Sequence, residues 1–155
     1  INHLSNILRT SLVLDKKRLT SLKEEIATTK DYLALESIRF EERLKTEINI
    51  DPRTERMMVP PMMIQTLVEN GIKHGISKLK EGGMLTINTR MNEANMILEI
   101  RNTGQYQKHR INGTGHGLRN TRQRLDLIFG ESANLRIYNE TDNIVLTSVK
   151  IPINE

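Results

Sequence analysis

Three short stretches hold residues able to do chemistry on a phosphorylated ligand. In the first, Thr66, Asn70, Lys73 and His74 recur at steps of three and four, so a helix would set them on one stripe. An Asn carbonyl oxygen is a hard ligand suited to Mg²⁺, and Lys73 and His74 can meet phosphate oxygens. A solvated polar helix face accounts for the same stripe, and this stretch alone leaves both readings open. The second stretch is Gly113-Thr114-Gly115-His116-Gly117-Leu118. Glycines at every second position let the backbone pass close to phosphates, and the run feeds a helix N-terminus, where free N–H groups favour anions. A plain glycine-rich turn before a helix is the alternative. It is neither a Gly-Lys-Ser/Thr phosphate loop nor a dinucleotide turn, since no strand directly precedes it. The third stretch, Ile100 to Gly104, ends a strand where the Asn102 side chain and a tight turn at Gly104 could hold a flat adenine.

The elements that must position these residues follow from periodicity. The first ~45 residues read as helical: Leu4, Ile7, Leu8, Leu12 and Leu14 form one stripe, broken by Asp15 to Arg18. A second helix starts at Ser21 with Glu24 three residues on, a capping-box pattern. Its stripe is Leu22, Ile26, Leu33 and Phe40, joined by Tyr32, Leu35 and Ile38. Lys45 to Ile50 alternates as a strand ended by Asp51-Pro52, and Pro60-Pro61 opens a helix running to about Ile76. After the Gly82-Gly83 turn, 84–90 and 95–101 form a hairpin around Asn92 to Ala94. The glycine-rich stretch leads to a helix over 118–129 stopped by Gly130, and 135–138 with 144–153 close the chain as a strand pair. This order predicts an α+β two-layer sandwich, one mixed sheet with helices on one face, preceded by a helical segment. The expected division is a helical segment over 1–43 and a second unit over 44–155.

Composition narrows the classes. Hydrophobic residues make up 37% and charged residues 27%, which suits a globular chain rather than a disordered one. With 3% aromatics and no Trp, the core must come from Leu, Ile, Val and Met. No Cys means no disulfide and no Cys-ligated zinc. A net charge of +4 admits nucleic acid, an acidic surface or a polyphosphate. The basic residues are scattered, however, and lack interleaved aromatics for base stacking, so nucleic acid is not expected. The chain opens at Ile1 already in helix-like sequence, which predicts a portion excised from a longer protein.

Taken together, "VPPMMIQTLVENGIKHGI", "IRNTG" and "NGTGHGLRNTRQRL" resemble, in order and spacing, the N box and two glycine boxes of the GHKL ATPases, within them the LytS-like sensor histidine kinases. "SLKEEIATTKDYLALESIRFEERL" resembles the linker helix of that subfamily. The resemblance covers nearly the whole chain. It implies the Bergerat fold, ATP and Mg²⁺ as cofactors, and transfer of the γ-phosphoryl group to a histidine and thence to a response regulator. Asn70 would hold Mg²⁺, with Lys73 and His74 at the phosphates and Thr66 beside them. Asn102 and Gly104 would hold adenine. Gly113, Thr114, Gly115, His116, Gly117 and Leu118 would flank the phosphates, with a lid over roughly 105–112. It also implies ATP and ADP as ligands, a homodimer in the full-length protein, and a cytoplasmic portion of a membrane-anchored sensor.

Two positions depart from the family pattern. Asn102 stands where Asp is usual, exchanging a charge-assisted bond to adenine for a neutral one, and Tyr106 stands where a glycine is expected. None of the four histidines matches the family's phosphoacceptor, which is expected upstream. Glu69 reads as an orienting or surface acid; the hydrolytic members' base falls at Thr66, so negligible hydrolysis is expected. The competing reading is a catalytically degenerate nucleotide-binding regulatory or dimerisation module. A protein-serine kinase of the same fold is disfavoured by the linker helix.

Overall fold

The computed structural model describes residues 18–107 and 116–153. It begins with β1 (Thr20–Ser21) and α1 (Leu22–Phe40), followed by β2 (Leu44–Asn49), β3 (Met58–Val59) and α2 (Met63–His74). The hairpin β4 (Gly83–Met91) and β5 (Asn95–Thr103) comes next, then α3 (His116–Phe129), β6 (Asn134–Asn139) and β7 (Ile144–Pro152). Five strands form one sheet in the order β2-β4-β5-β7-β6, with β2 parallel to β4 and the other pairs antiparallel. The α+β expectation is met, mixed sheet included. The two-residue ribbon of β1 with β3 is too short to leave a periodic signal in the sequence.

Alternation along the strands decides which face is covered. Leu85 and Ile87 of β4, Leu98 and Ile100 of β5, and Val149 and Ile151 of β7 point to one side and are buried. Against them pack Leu22, Ile26, Leu33 and Phe40 of α1, Ile64, Leu67, Val68 and Ile72 of α2, and Leu125 of α3. The opposite face carries Arg90, Glu99 and Arg101, the last reaching Glu140 beyond β6. The expected division at residue 43 falls between α1 and β2, and the apolar residues of α1 lie in the same buried cluster as those of the strands.

Helix α1 starts where its capping residues put it. Ser21 is extended, and its Oγ accepts from the Glu24 N–H at 3.2 Å. The Glu24 carboxylate accepts from the Thr20 hydroxyl at 2.8 Å. Leu35 and Ile38, expected on the apolar stripe, instead stand 68% and 76% exposed. Helix α2 also starts later than the prolines suggest. Pro60 and Pro61 precede it, Met62 adopts a left-handed conformation at φ 67°, and the helix runs from Met63 to His74. Gly130, at φ 61°, ends α3 as expected.

Candidate functional site

Two contacts draw the three stretches toward one another. The first lies where β5 ends against α2. Asn102 is 3% exposed, and its Nδ2 donates to the Thr103 carbonyl at 3.1 Å. Facing it are Gly71 in α2 and Gly75 just after it. A Cβ on Gly71 would stand 2.9 Å from Asn102 Oδ1, and one on Gly75 would stand 2.9 Å from the Thr103 carbonyl oxygen. Gly104, at φ 139°, comes so close that a Cβ there would meet Gly75 Cα at 2.9 Å. Three glycines thus let strand and helix approach to backbone contact, with the Asn102 amide seated between. Among the described residues no hydrogen bond reaches Asn102 Oδ1, which leaves an acceptor for a ligand amine.

The second contact joins α2 to α3. A Cβ on Gly117 would touch Thr66 Cγ2 at 3.0 Å, so the start of α3 rests directly on the polar stripe of α2. His116 is exposed at that start, and the half-buried Leu118 packs its side chain against the core. First-turn amides of a helix lack intrahelical acceptors, so the backbone N–H groups here suit an anion. Gly113, Thr114 and Gly115 lie outside the described residues.

Between the contacts, the stripe presents Asn70 half-buried, Lys73 exposed and His74 half-buried. Burial, then the charges of Lys73 and Lys78, holds the His74 imidazole below its ordinary value. A neutral His74 therefore faces its surroundings at neutral pH. Glu69 is exposed and accepts from Gln65 Nε2 at 3.1 Å. It also lies near Tyr32 of α1, whose hydroxyl is pushed up to about 12 by burial, then by Glu36 and Glu69. Among the described residues no group of three or more His, Cys, Asp or Glu could hold a metal. A metal here would depend on Asn70 together with ligand oxygens and water, a set that suits Mg²⁺.

A cleft of about 600 Å³ opens between α2 and α3, lined by Met62, Met63, Thr66, Gly117, Gln123 and Arg124 among others. It reaches Thr66 and Gly117 but not Asn70 or Asn102. The glycine-enforced seat of Asn102 is the better guide, because it sets an acceptor with no partner among the described residues, Asn102 Oδ1, beside the polar stripe of α2. The segment after Gly104 does not leave the domain freely. Gln105 Nε2 donates to the Asp142 carbonyl at 3.0 Å, and Tyr106 exchanges two hydrogen bonds with the Asn139 side chain. Tyr106 is thus fixed by its backbone to the end of β6, and the rest of the expected lid includes residues outside those described.

Sequence reading missed Gly71 and Gly75. A helix-interior glycine costs about 1 kcal/mol against alanine, so Gly71 flanking Asn70 was the available signal. It also missed Glu25, a carboxylate buried in α1. Nothing in the local pattern marks it, since its partners are backbone amides some 40 positions away.

Comparison with known proteins gives a consistent set. The histidine kinase family profile matches residues 1–44. The chain is 30% identical over 149 residues to the sensor protein LytS of Staphylococcus saprophyticus, covering 88% of this chain and 25% of LytS. It is 31% identical over 153 residues to the sensor histidine kinase BtsS of Escherichia coli K12, covering 98% and 27%. The chain thus spans about a quarter of the length of these relatives. Among solved structures, the catalytic domain of histidine kinase ThkA superposes with a TM-score of 0.66 at 16% identity, covering 87% of this chain and 95% of that one. The histidine kinase AdeS of Acinetobacter baumannii gives 0.64 at 20%, covering 99% and 79%. At those identities the likeness is one of fold.

Proposed function

Because the chain belongs to the LytS-like sensor histidine kinases and has the fold of their GHKL-type catalytic domain, we propose that it binds ATP with Mg²⁺ and presents the γ-phosphoryl group to a histidine upstream of Ile1. The observation that carries this reading is the seat of Asn102 against Gly71 and Gly75, on the helix that bears Asn70, Lys73 and His74. Asn102 Oδ1 accepts from the adenine amino group while Nδ2 stays on the Thr103 carbonyl. Gly104 keeps the strand end bare beside the base. Asn70 supplies a neutral oxygen ligand, and the ion it holds, when bound, neutralises charge on the phosphates. Lys73 and His74 meet phosphate oxygens from the same stripe. Thr66 supports the start of α3, whose amides at Gly117 and Leu118 face the anion together with Gly113, Thr114, Gly115 and His116.

Phosphoryl transfer asks the protein for positioning and charge stabilisation rather than covalent chemistry, and these residues supply both. The phosphoryl group then passes to a response regulator, and the whole protein works as a homodimer with this portion on the cytoplasmic side. No helix among the described residues is long and apolar enough to cross a membrane.

Calorimetric titration of ATP, with and without Mg²⁺, into the chain and into Asn70→Ala tests the reading. Metal-dependent binding that the substitution abolishes is the expected result. No binding at millimolar ATP would sink it and leave a catalytically degenerate regulatory module.

A further inference from the structure

Helix α2 has no cap of its own. The residue before it, Met62, is left-handed and makes no side-chain cap hydrogen bond. The Met63 N–H turns back to the Pro60 carbonyl at 3.3 Å, and the other free amides at this end are met from α1 instead. Glu25, 3% exposed, receives the Met62 N–H on Oε2 at 3.0 Å and the Ile64 N–H on Oε1 at 3.1 Å, and the Gln65 N–H reaches that same oxygen at 3.5 Å. Among the described residues Glu25 joins no ion pair. The groups among those residues that meet its carboxylate are helix amides, at the positive end of the helix dipole. A carboxylate buried on those terms ties the direction of α2 to α1 through both its oxygens.

We propose that Glu25 is a positioning residue for nucleotide binding: it fixes the N-terminal end of α2 and through it the placement of Asn70. This rests on the reading of α2 as the metal-bearing helix. Asn70 lies seven residues beyond Met63, about 10 Å along the axis, so a pivot of about 6° at the N-terminal end displaces Asn70 by about 1 Å. Displacements of that size are costly where a metal and a reacting phosphate must be aligned. Glutamine would not serve in its place. Its one oxygen can keep Ile64 and Gln65, but its amide N–H₂ would then face the Met62 N–H, donor against donor.

The test compares Glu25→Gln with Thr29→Val. Thr29, fully buried in α1, donates to the Glu25 carbonyl at 2.8 Å, so its replacement removes a buried hydrogen bond within α1 only. Both variants should melt at lower temperature. Only Glu25→Gln should weaken Mg-ATP, by about 10–100-fold, as when a group orienting a metal ligand is lost. Metal-free ATP, which Lys73 and His74 also reach from α2, should weaken less than Mg-ATP in Glu25→Gln and not at all in Thr29→Val. In an Asn70→Ala background, the loss that Glu25→Gln adds should be clearly smaller than its loss in the original chain. Unchanged Mg-ATP affinity in Glu25→Gln, or an equal loss in Thr29→Val, would overturn the proposal. Should Glu25→Gln not fold, Glu25→Asp, with its shorter reach, is read by the same criteria. Failure of the original chain to bind Mg-ATP overturns the functional reading itself, and this inference with it.

Discussion

A methyl group on Gly71 would stand 2.9 Å from Asn102 Oδ1, closer than any ordinary carbon–oxygen contact. Gly71→Ala therefore sets two effects against each other. Alanine favours the helix by about 1 kcal/mol, while Asn102 must swing out of its seat. The chain should stay folded with little change in melting temperature and bind ATP at least tenfold more weakly. Retained affinity, read by calorimetry, would show that Asn102 does not touch the base. His74 gives a second prediction through pH. Its folded pKa lies below its ordinary 6.5, so the stability tied to its neutral form is present above pH 6.5 and lost as pH falls. Phosphates beside it favour the protonated ring. ATP binding should take up a proton and tighten as pH drops from 8 toward 6, a slope that His74→Gln should abolish. Equal slopes in both proteins would remove His74 from the phosphates. At this scale the sequence exposed the donors and acceptors but not the small residues that seat them, because a glycine's purpose lies in what approaches it.

Helices and strands were legible wherever the pattern was local. Ser21 and Glu24 marked the start of α1, Gly130 the end of α3, and alternation marked the β4–β5 hairpin. Gly130 sits at φ 61° with nothing within 4 Å of an added Cβ. Gly130→Ala should thus cost only the backbone strain of that conformation, about 1–2 kcal/mol, measurable by urea melts. A larger loss would mean packing that the geometry does not contain. Helix α2 was legible in its body but misplaced at its start. Proline suits a first helical turn, yet Met62 turns left-handed after the pair and delays the helix to Met63. What licenses that start is Glu25, a tertiary partner with no local signature. Leu35 and Ile38 show the opposite failure, since helical spacing placed them on the stripe and packing left them in solvent.

Across the whole molecule, the strand order was beyond any local pattern, and the stripe of α1 marked an apolar face without saying what it packs against. Leu22, Ile26, Leu33 and Phe40 are all at most 6% exposed. At ~1.5–3 kcal/mol for each buried side chain, they contribute roughly 6–12 kcal/mol, as much as the net stability of a typical domain, about 5–15 kcal/mol. A chain beginning at Leu44 should therefore fail to fold, with a flat thermal melt and no dispersion in its NMR spectrum. A cooperative melt would instead make α1 an appendage.

Strand β2 lies parallel to β4, its neighbour in the sheet, and the chain between them contains α2. Parallel neighbours cannot be joined by a tight turn; their register is set by a long crossover. The helix proposed to grip the nucleotide is thus also the clasp that holds an edge strand in place. A ligand on α2 should be felt as slower amide hydrogen exchange along Leu44–Asn49, in a strand that contributes nothing to the site.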